Sequence, residues 1–220
     1  MLDLSNTLIL DDQNLLPYCK YEGYILGDKN YNSRKINIDT WSFTAEELNA
    51  AQSLAAKGII NTVSDPKDYG FNLHMDRAVL AKLNSWVAGL NPNATCQNKF
   101  SDVSATSPNT WLCGYVEALL DNGLIEANGN YNPLMIATKA EIVKTVLKAT
   151  WEEVTYNAET WESDYVAHAV EQGFINNFTD FDSLADRGFY YIVTAAVLAS
   201  KEGEWDDILW ELDCLLWGTC

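Results

Sequence analysis

The sequence predicts a mainly α-helical protein built from three tandem copies of one helix–loop–helix unit. Three short stretches of similar sequence support this prediction: KGII at 57–60, NGLI at 122–125 and QGFI at 172–175. Each follows a segment with apolar residues at helical spacing, and each contains the glycine that commonly ends a helix. A second, capped helix follows each of them, so a unit of roughly 50 residues recurs three times.

Residues 1–43 do not fit this unit. Three short stretches predict β-strands separated by polar turns: NTLIL at 6–10, YEGYIL at 21–26 and KINI at 35–38. We expect this N-terminal β-like extension either to form a small cap on the first unit or to act as an arm that pairs with another subunit, because unpaired strands seek partners.

The three predicted units span residues 44–90, 98–150 and 151–200. Thr44 and Glu47 have the spacing of a capping box at the start of the first unit. Thr110–Trp111 and Thr160–Trp161 open the first helices of the second and third units. Each of these tryptophans lies twelve positions before the glycine of its unit, which strengthens the alignment of these two copies.

The second helix of each unit begins with a capping residue followed by a cation. The three pairs are Asp76 and Arg77, Thr138 and Lys139, and Asp186 and Arg187. The side-chain oxygens of Asp and Thr accept the unpaired N–H groups of a first helical turn. The following residues are amphipathic at helical spacing, so each unit buries its apolar faces by stacking against its neighbours.

The C-terminal residues 201–220 predict an amphipathic helix that carries Trp205, Trp210 and Trp217. We expect this helix to pack on the repeats; docking to a membrane or to a partner is the alternative. No apolar run reaches the roughly 18 residues of a membrane span. The first ten residues lack the features of a signal peptide, so either the protein is cytosolic or a leader has been removed.

Acidic side chains dominate the composition: 31 of them face 14 basic ones, for a formal net charge of −17. A negative field repels phosphate backbones and anionic lipid, so neither nucleic acid nor a membrane surface is an expected partner. No GxSxG, HExxH, Walker A or GxGxxG motif occurs, and a glycosidase-like pair among the abundant carboxylates is the remaining catalytic alternative. The sequence therefore predicts a protein that is not an enzyme and has no cofactor.

Five cysteines and two histidines offer no arrangement typical of zinc. Cys96 with Cys113 and Cys214 with Cys220 are candidate disulfides, and five reduced thiols including Cys19 are the alternative. The acidic loops at 65–68 and 180–186 supply oxygen ligands without the spacing of an EF-hand, so no metal site is predicted.

The second copy resembles a surface-layer homology (SLH) domain. The resemblance rests on FSDV at 100–103, TWLCGYVEALLDNGLI at 110–125 and GNYNPLMIATKAEIVKTVLKA at 129–149. It implies a pseudo-threefold, three-pronged spindle of SLH-like repeats. It also implies a secreted, non-catalytic module at the bacterial cell surface that binds secondary cell-wall polysaccharide, often pyruvylated, in grooves between repeats. The alternative function is a structural surface-layer or filament subunit that uses the fold for self-association or for contacts with other surface proteins.

The resemblance also implies the residues of the ligand site. They are the cations Arg77, Lys139 and Arg187, the capping residues Asp76, Thr138 and Asp186, and the tryptophans Trp111 and Trp161. A cation beside a helix N-terminus suits an anion, and an indole ring suits the C–H face of a sugar. The alternative is structural: the arginines would pair with nearby carboxylates, and the tryptophans would belong to the core.

Overall fold

The computed structural model describes residues 42–106, 110–127 and 129–203. In this part of the chain the α-helices are α1 (Ala45–Ala56), α2 (Arg77–Val87), α3 (Thr110–Asp121), α4 (Lys139–Ala149), α5 (Trp161–Glu171) and α6 (Arg187–Glu202). A short 3-10 helix spans Pro66–Tyr69. The prediction of a mainly α protein is confirmed. The predicted strands before residue 42 and the predicted tryptophan-bearing helix after residue 203 lie outside the described residues.

Capping side chains start the second helix of each pair, as the sequence predicts. The side chains of Asp76, Thr138 and Asp186 accept the backbone N–H three residues further on, at 2.8, 3.2 and 2.9 Å. Thr138 and Thr44 each form a complete capping box with the glutamate at that position. Thr160 departs from this rule, because its hydroxyl donates to Asp164 instead of capping the backbone of α5.

Left-handed glycines end the first helix of each pair. Gly58, Gly123 and Gly173 have φ values of 72°, 71° and 76°. After each glycine the next N–H donates back to a carbonyl in the last turn of the helix, at 2.8–3.0 Å. This arrangement turns the chain and returns its next apolar residue to the core, because an L-residue with a Cβ rarely adopts this backbone conformation.

A closed ring of backbone hydrogen bonds joins the three loops that precede α2, α4 and α6. Met75 N–H donates to Ala185 O (3.0 Å), Ala185 N–H to Ala137 O (2.9 Å), and Ala137 N–H to Met75 O (2.8 Å). Two residues later in each loop, the first N–H of the helix donates to the loop of the next pair. The partners are Arg77 with Met135 O, Lys139 with Ser183 O, and Arg187 with Leu73 O. The backbone of each candidate cation is therefore hydrogen-bonded to the following helix pair.

Two apolar clusters stabilise this arrangement. The larger includes side chains from all three helix pairs, and Tyr190 and Tyr191 of α6 are fully buried in it. The smaller joins α2, α3 and the loop at 100–103. Gly188 allows α1 to approach α6 closely, because a Cβ at this position would overlap the Glu47 carboxylate. None of the helices in the described ranges is long and apolar enough for a membrane span.

The loop before α3 is fastened to that helix by a disulfide and by a buried carboxylate. Cys96 and Cys113 are bonded, with their Cα atoms 5.6 Å apart, so the first of the two candidate disulfides is present. Cys19, Cys214 and Cys220 lie outside the described residues. Glu117, only 1% exposed, accepts the backbone N–H groups of Gln97 and Lys99. Structural disulfides are typical of secreted and cell-surface proteins.

Candidate functional site

A groove of about 190 Å³ opens where α2, α4 and α5 approach one another. We call it the Arg77 groove. Its basic side chains are Arg77, Lys144 and Lys148, and Trp161 provides an aromatic face. Glu126 and Glu141 also line it, and Tyr131, Phe100 and Leu80 are among its less polar lining residues. The groove therefore combines side chains from all three helix pairs.

The guanidinium of Arg77 is held in a fixed orientation at the start of α2. It donates to Oε1 of Glu141 and, at 3.4 Å, to the carbonyl of Tyr131. Glu141 accepts the Thr138 N–H with its other oxygen at 3.0 Å, so the capping box of α4 also positions Arg77. The hydroxyl of Tyr131 returns a hydrogen bond to the Arg77 carbonyl at 2.8 Å. A quarter of the Arg77 side chain is exposed, so this oriented cation remains accessible.

Lys144 lies over the aromatic side chains at the start of α5. Its ammonium is 4.4 Å from the ring centroid of Trp161, and 5.7 and 5.9 Å from those of Tyr156 and Tyr165. Such cation–π contacts hold both the ring and the ammonium in place. The Trp161 side chain and a positive charge thus lie together at the groove.

Lys148 adds a second ammonium one helical turn after Lys144. Burial, followed by the charge of Lys144, lowers the pKa of Lys148, and Glu126 partly offsets this effect. Two like charges on one face of a helix destabilise each other. A bound anion would relieve that repulsion, so the charges of the groove are complementary to a negatively charged ligand.

The capping residues proposed for the site direct their oxygens to their own helices. Asp76 accepts from Val79 N–H, Thr138 from Glu141 N–H, and Asp186 from Phe189 N–H. Burial raises the pKa of Asp76 and of Asp186, and these backbone hydrogen bonds oppose the shift. All three therefore fix the start of the helix on which a candidate cation stands.

The other candidate cations have different surroundings. Lys139 lies over the ring of Phe189, with its ammonium 5.4 Å from the centroid. Arg187 is only 8% exposed and sits beside Gly70. Of the eight residues proposed from sequence, Arg77 and Trp161 line the Arg77 groove. Trp111 packs between the two apolar clusters at the junction of α2 and α3.

Sequence reasoning missed Lys144 and its counterpart Lys82. Both lie six residues after the capping residue of their helix, and both have an ammonium near the tryptophan that begins the next helix pair. A tyrosine four residues after each tryptophan completes the aromatic surroundings. The repeated spacing was available in the sequence. Its meaning required knowledge that α2 packs on α3 and that α4 packs on α5.

Comparison with protein families gives one finding. The family profile of the S-layer homology domain matches residues 99–143. Residues 99–143 are an S-layer homology domain. The matched segment contains α3, the loop with Tyr131 and the first part of α4, and thus Glu141 of the Arg77 groove. A comparison with curated proteins finds no match.

An S-layer homology domain at residues 99–143 indicates association with the cell surface through cell-wall components. S-layer homology domains are non-catalytic binding modules, which agrees, for residues 99–143, with the prediction that the protein is not an enzyme. The matched segment coincides with the copy in which the sequence resemblance is clearest. The Cys96–Cys113 disulfide lies partly within it and fits an oxidising location.

Proposed function

We propose that this protein is an anchoring module that binds an acidic, pyruvylated secondary cell-wall polysaccharide in the Arg77 groove. The observation that carries the proposal is the meeting of Arg77, Lys144 and Trp161 in one open groove. A carboxylate on a sugar would accept hydrogen bonds from the cations, while the sugar's C–H face would lie on the indole. These are the two interactions that a pyruvylated sugar needs.

We further propose that residues 44–90, 98–150 and 151–200 are three S-layer homology units arranged as a pseudo-threefold, three-pronged spindle. The closed ring of hydrogen bonds through Met75, Ala137 and Ala185 supports this arrangement, because each loop occupies the same relation to the next. In such a spindle, each groove would be lined by side chains from all three units, as Arg77, Lys144 and Trp161 line the Arg77 groove.

Retention on purified, pyruvylated bacterial cell-wall sacculi tests the function. The decisive variant is Arg77→Ala combined with Lys144→Ala, measured by co-sedimentation against increasing protein concentration. Each charge-assisted contact contributes about 1.5–3 kcal/mol, so we expect retention to weaken by about 100-fold or more. Lys67→Ala is a matched control, because it removes one positive charge from an exposed position outside the groove.

Unchanged retention of the double variant, with its fold intact by circular dichroism, would refute the assigned groove. A second comparison includes Lys139→Ala with Arg187→Ala, the remaining two cations proposed from sequence. If that pair alone abolishes retention, then the ligand lies elsewhere on the spindle. Sacculi stripped of their pyruvyl groups supply the ligand control, and equal binding to these would contradict recognition of the carboxylate.

The alternative function, a structural assembly subunit, would use residues 1–43 and the tryptophan-rich segment 201–220 for its protein contacts. Nearly all of these residues lie outside the described part of the chain. Measurement of molecular mass in solution with and without residues 1–43 distinguishes the two functions. A monomer in both cases would count against assembly through the N-terminal segment.

A further inference from the structure

The three second helices carry equivalent positions that can be compared residue by residue. The residue after each cap is Arg77, Lys139 or Arg187, and the residue six after each cap is Lys82, Lys144 or Ile192. Twelve residues before each glycine turn stand Glu46, Trp111 and Trp161. The first N–H of each second helix donates to the next loop in the same way, so these positions are structurally equivalent.

The Arg77 groove combines the residue after the cap of one unit with the residue six after the cap of the next unit and the residue twelve before the glycine of the third. The same combination taken around the spindle gives three sets of side chains. The open set is Arg77, Lys144 and Trp161. The second set is Arg187, Lys82 and Trp111. The third set is Lys139, Ile192 and Glu46. We propose that the open set is a single working site for an anionic sugar, and that the second set is a complete site of the same kind which Trp86 keeps closed. This inference rests on the proposed function.

The side chains of the second set have the right chemistry but little exposure. Lys82 is 4% exposed, and its ammonium lies 5.9 Å from the ring centroids of both Trp111 and Tyr115. This reproduces the arrangement of Lys144 with Trp161 and Tyr165. The Nε atom of Arg187 is buried with no hydrogen-bond partner among the described residues, although it is a strong donor. An unsatisfied buried donor is what a closed anion site would leave behind.

Trp86 is the residue that distinguishes the second set from the open set. It lies ten residues after its cap, where the open set has Lys148. Its ring centroid is 4.7 Å from the Lys82 ammonium, the shortest of the three aromatic distances to that group. The ring also packs edge-on against Tyr115 at 6.4 Å, and more than a third of Trp86 faces solvent. Trp86 therefore packs directly against the Lys82 ammonium, and burial of Lys82 lowers its pKa to about 8.

The third set lacks the groups that would bind an anionic sugar. Ile192 replaces the second cation, and the exposed carboxylate of Glu46 replaces the tryptophan. The helices are also packed closely at this junction, where Gly188 of α6 leaves no room for a Cβ beside Glu47. A carboxylate at this place would repel the acidic substituent that Arg77 and Lys144 attract.

The test is the number of ligands bound per chain. The probe is the methyl glycoside of a hexosamine that carries a 4,6-pyruvyl ketal, titrated by calorimetry into the full chain. We expect one probe per chain in the wild type, loss of that site in Lys144→Ala, and an unchanged site in Lys82→Ala. Trp86→Lys introduces the lysine that the open set has at the equivalent position, Lys148, and should raise the number of bound probes to two per chain.

Trp151→Lys is the matched control, because Trp151 is an exposed tryptophan outside both sets. It should leave one probe per chain. Trp86→Ala provides a second variant in which the ring is removed without a new charge, and it should also admit a second probe. Circular dichroism and the melting temperature report whether each variant is folded.

The outcomes separate the inference from the proposed function. Two or three probes bound to the wild type, or equal losses in Lys82→Ala and Lys144→Ala, would overturn the single working site. One probe per chain in both folded Trp86 variants would overturn the role of Trp86. Absence of binding by the wild type to both the probe and the pyruvylated sacculi would overturn the proposed function itself, and the inference with it.

Discussion

Glu117 offers the sharpest test of how the loop before α3 is held. Its carboxylate is 1% exposed and accepts two backbone N–H groups: Gln97 N–H at 2.9 and 2.8 Å to its two oxygens, and Lys99 N–H at 3.0 Å. Glu117→Ala removes both acceptors. Hydrogen bonds to a charged group contribute about 1.5–3 kcal/mol each, so the upper limit of the loss is about 6 kcal/mol.

Two effects reduce this loss. Gln97 is an exposed residue, so water reaches its N–H once the carboxylate is gone. Removing a buried charge also recovers part of its desolvation cost. We therefore expect Glu117→Ala to lower the free energy of unfolding by about 3 kcal/mol. Glu117→Gln keeps the shape and one carbonyl oxygen, and it should cost about half as much.

Urea unfolding followed by tryptophan fluorescence measures these differences. Glu153→Ala is the control, because it makes the same chemical change at an exposed position. That variant should differ from the wild type by less than about 0.5 kcal/mol. A Glu117→Ala variant as stable as the control would refute the reasoning, and so would a Glu117→Gln variant less stable than Glu117→Ala.

Two further predictions concern the stability contributed by the disulfide and by an ion pair. Replacing Cys96 and Cys113 with alanine should lower the free energy of unfolding by about 3 kcal/mol, because the disulfide closes a loop of 17 residues; equal urea midpoints for the variant and the oxidised wild type would contradict this. The pKa of Glu152 lies below its usual value, mainly because Lys201 donates a hydrogen bond to its carboxylate. The positive charges of Lys201 and His168 lower this pKa further, and partial burial of Glu152 opposes the shift. A carboxylate whose pKa is lowered by folding stabilises the protein above its unfolded pKa, and this stabilisation is lost as the pH falls through the folded pKa. Lys201→Ala should therefore lower the melting temperature at about pH 6 and should change it little near pH 3. An equal loss at both pH values would count against the ion pair.

The sequence predicts the helix caps and glycine turns well, because these features depend on residues that are close together along the chain. Capping at Thr44, Asp76 and Thr138 involves a side chain and an N–H only three residues away, so the sequence contains both partners. The left-handed turn at Gly123 likewise depends on its own backbone freedom. Such local features need no tertiary contact, which is why the mainly α-helical character of the described residues could be predicted from the sequence.

The candidate site was less predictable, because it depends on contacts between distant residues. Arg77 and Arg187 follow equivalent aspartates, yet a quarter of the Arg77 side chain is exposed while Arg187 is almost buried. The residues that follow them differ, Ala78 against Gly188, but the exposure of each arginine depends on what its helix packs against. Lys144 was overlooked for the same reason, since its partner Trp161 belongs to the next helix pair and is reached only through tertiary packing.

The strongly acidic composition is compatible with the proposed binding of an anionic polymer when distance is taken into account. At physiological ionic strength charges separated by more than about 8 Å are largely screened. The formal charge of −17 therefore acts mainly on the approach of the polymer, and salt weakens that repulsion. Contacts inside the Arg77 groove act over a few ångströms, where partial burial reduces screening, and there Arg77, Lys144 and Lys148 face Glu126 and Glu141. Glu141 is already engaged with Arg77 and Thr138, so Lys144 and Lys148, together with the exposed part of Arg77, provide the positive charge that a carboxylate ligand would meet.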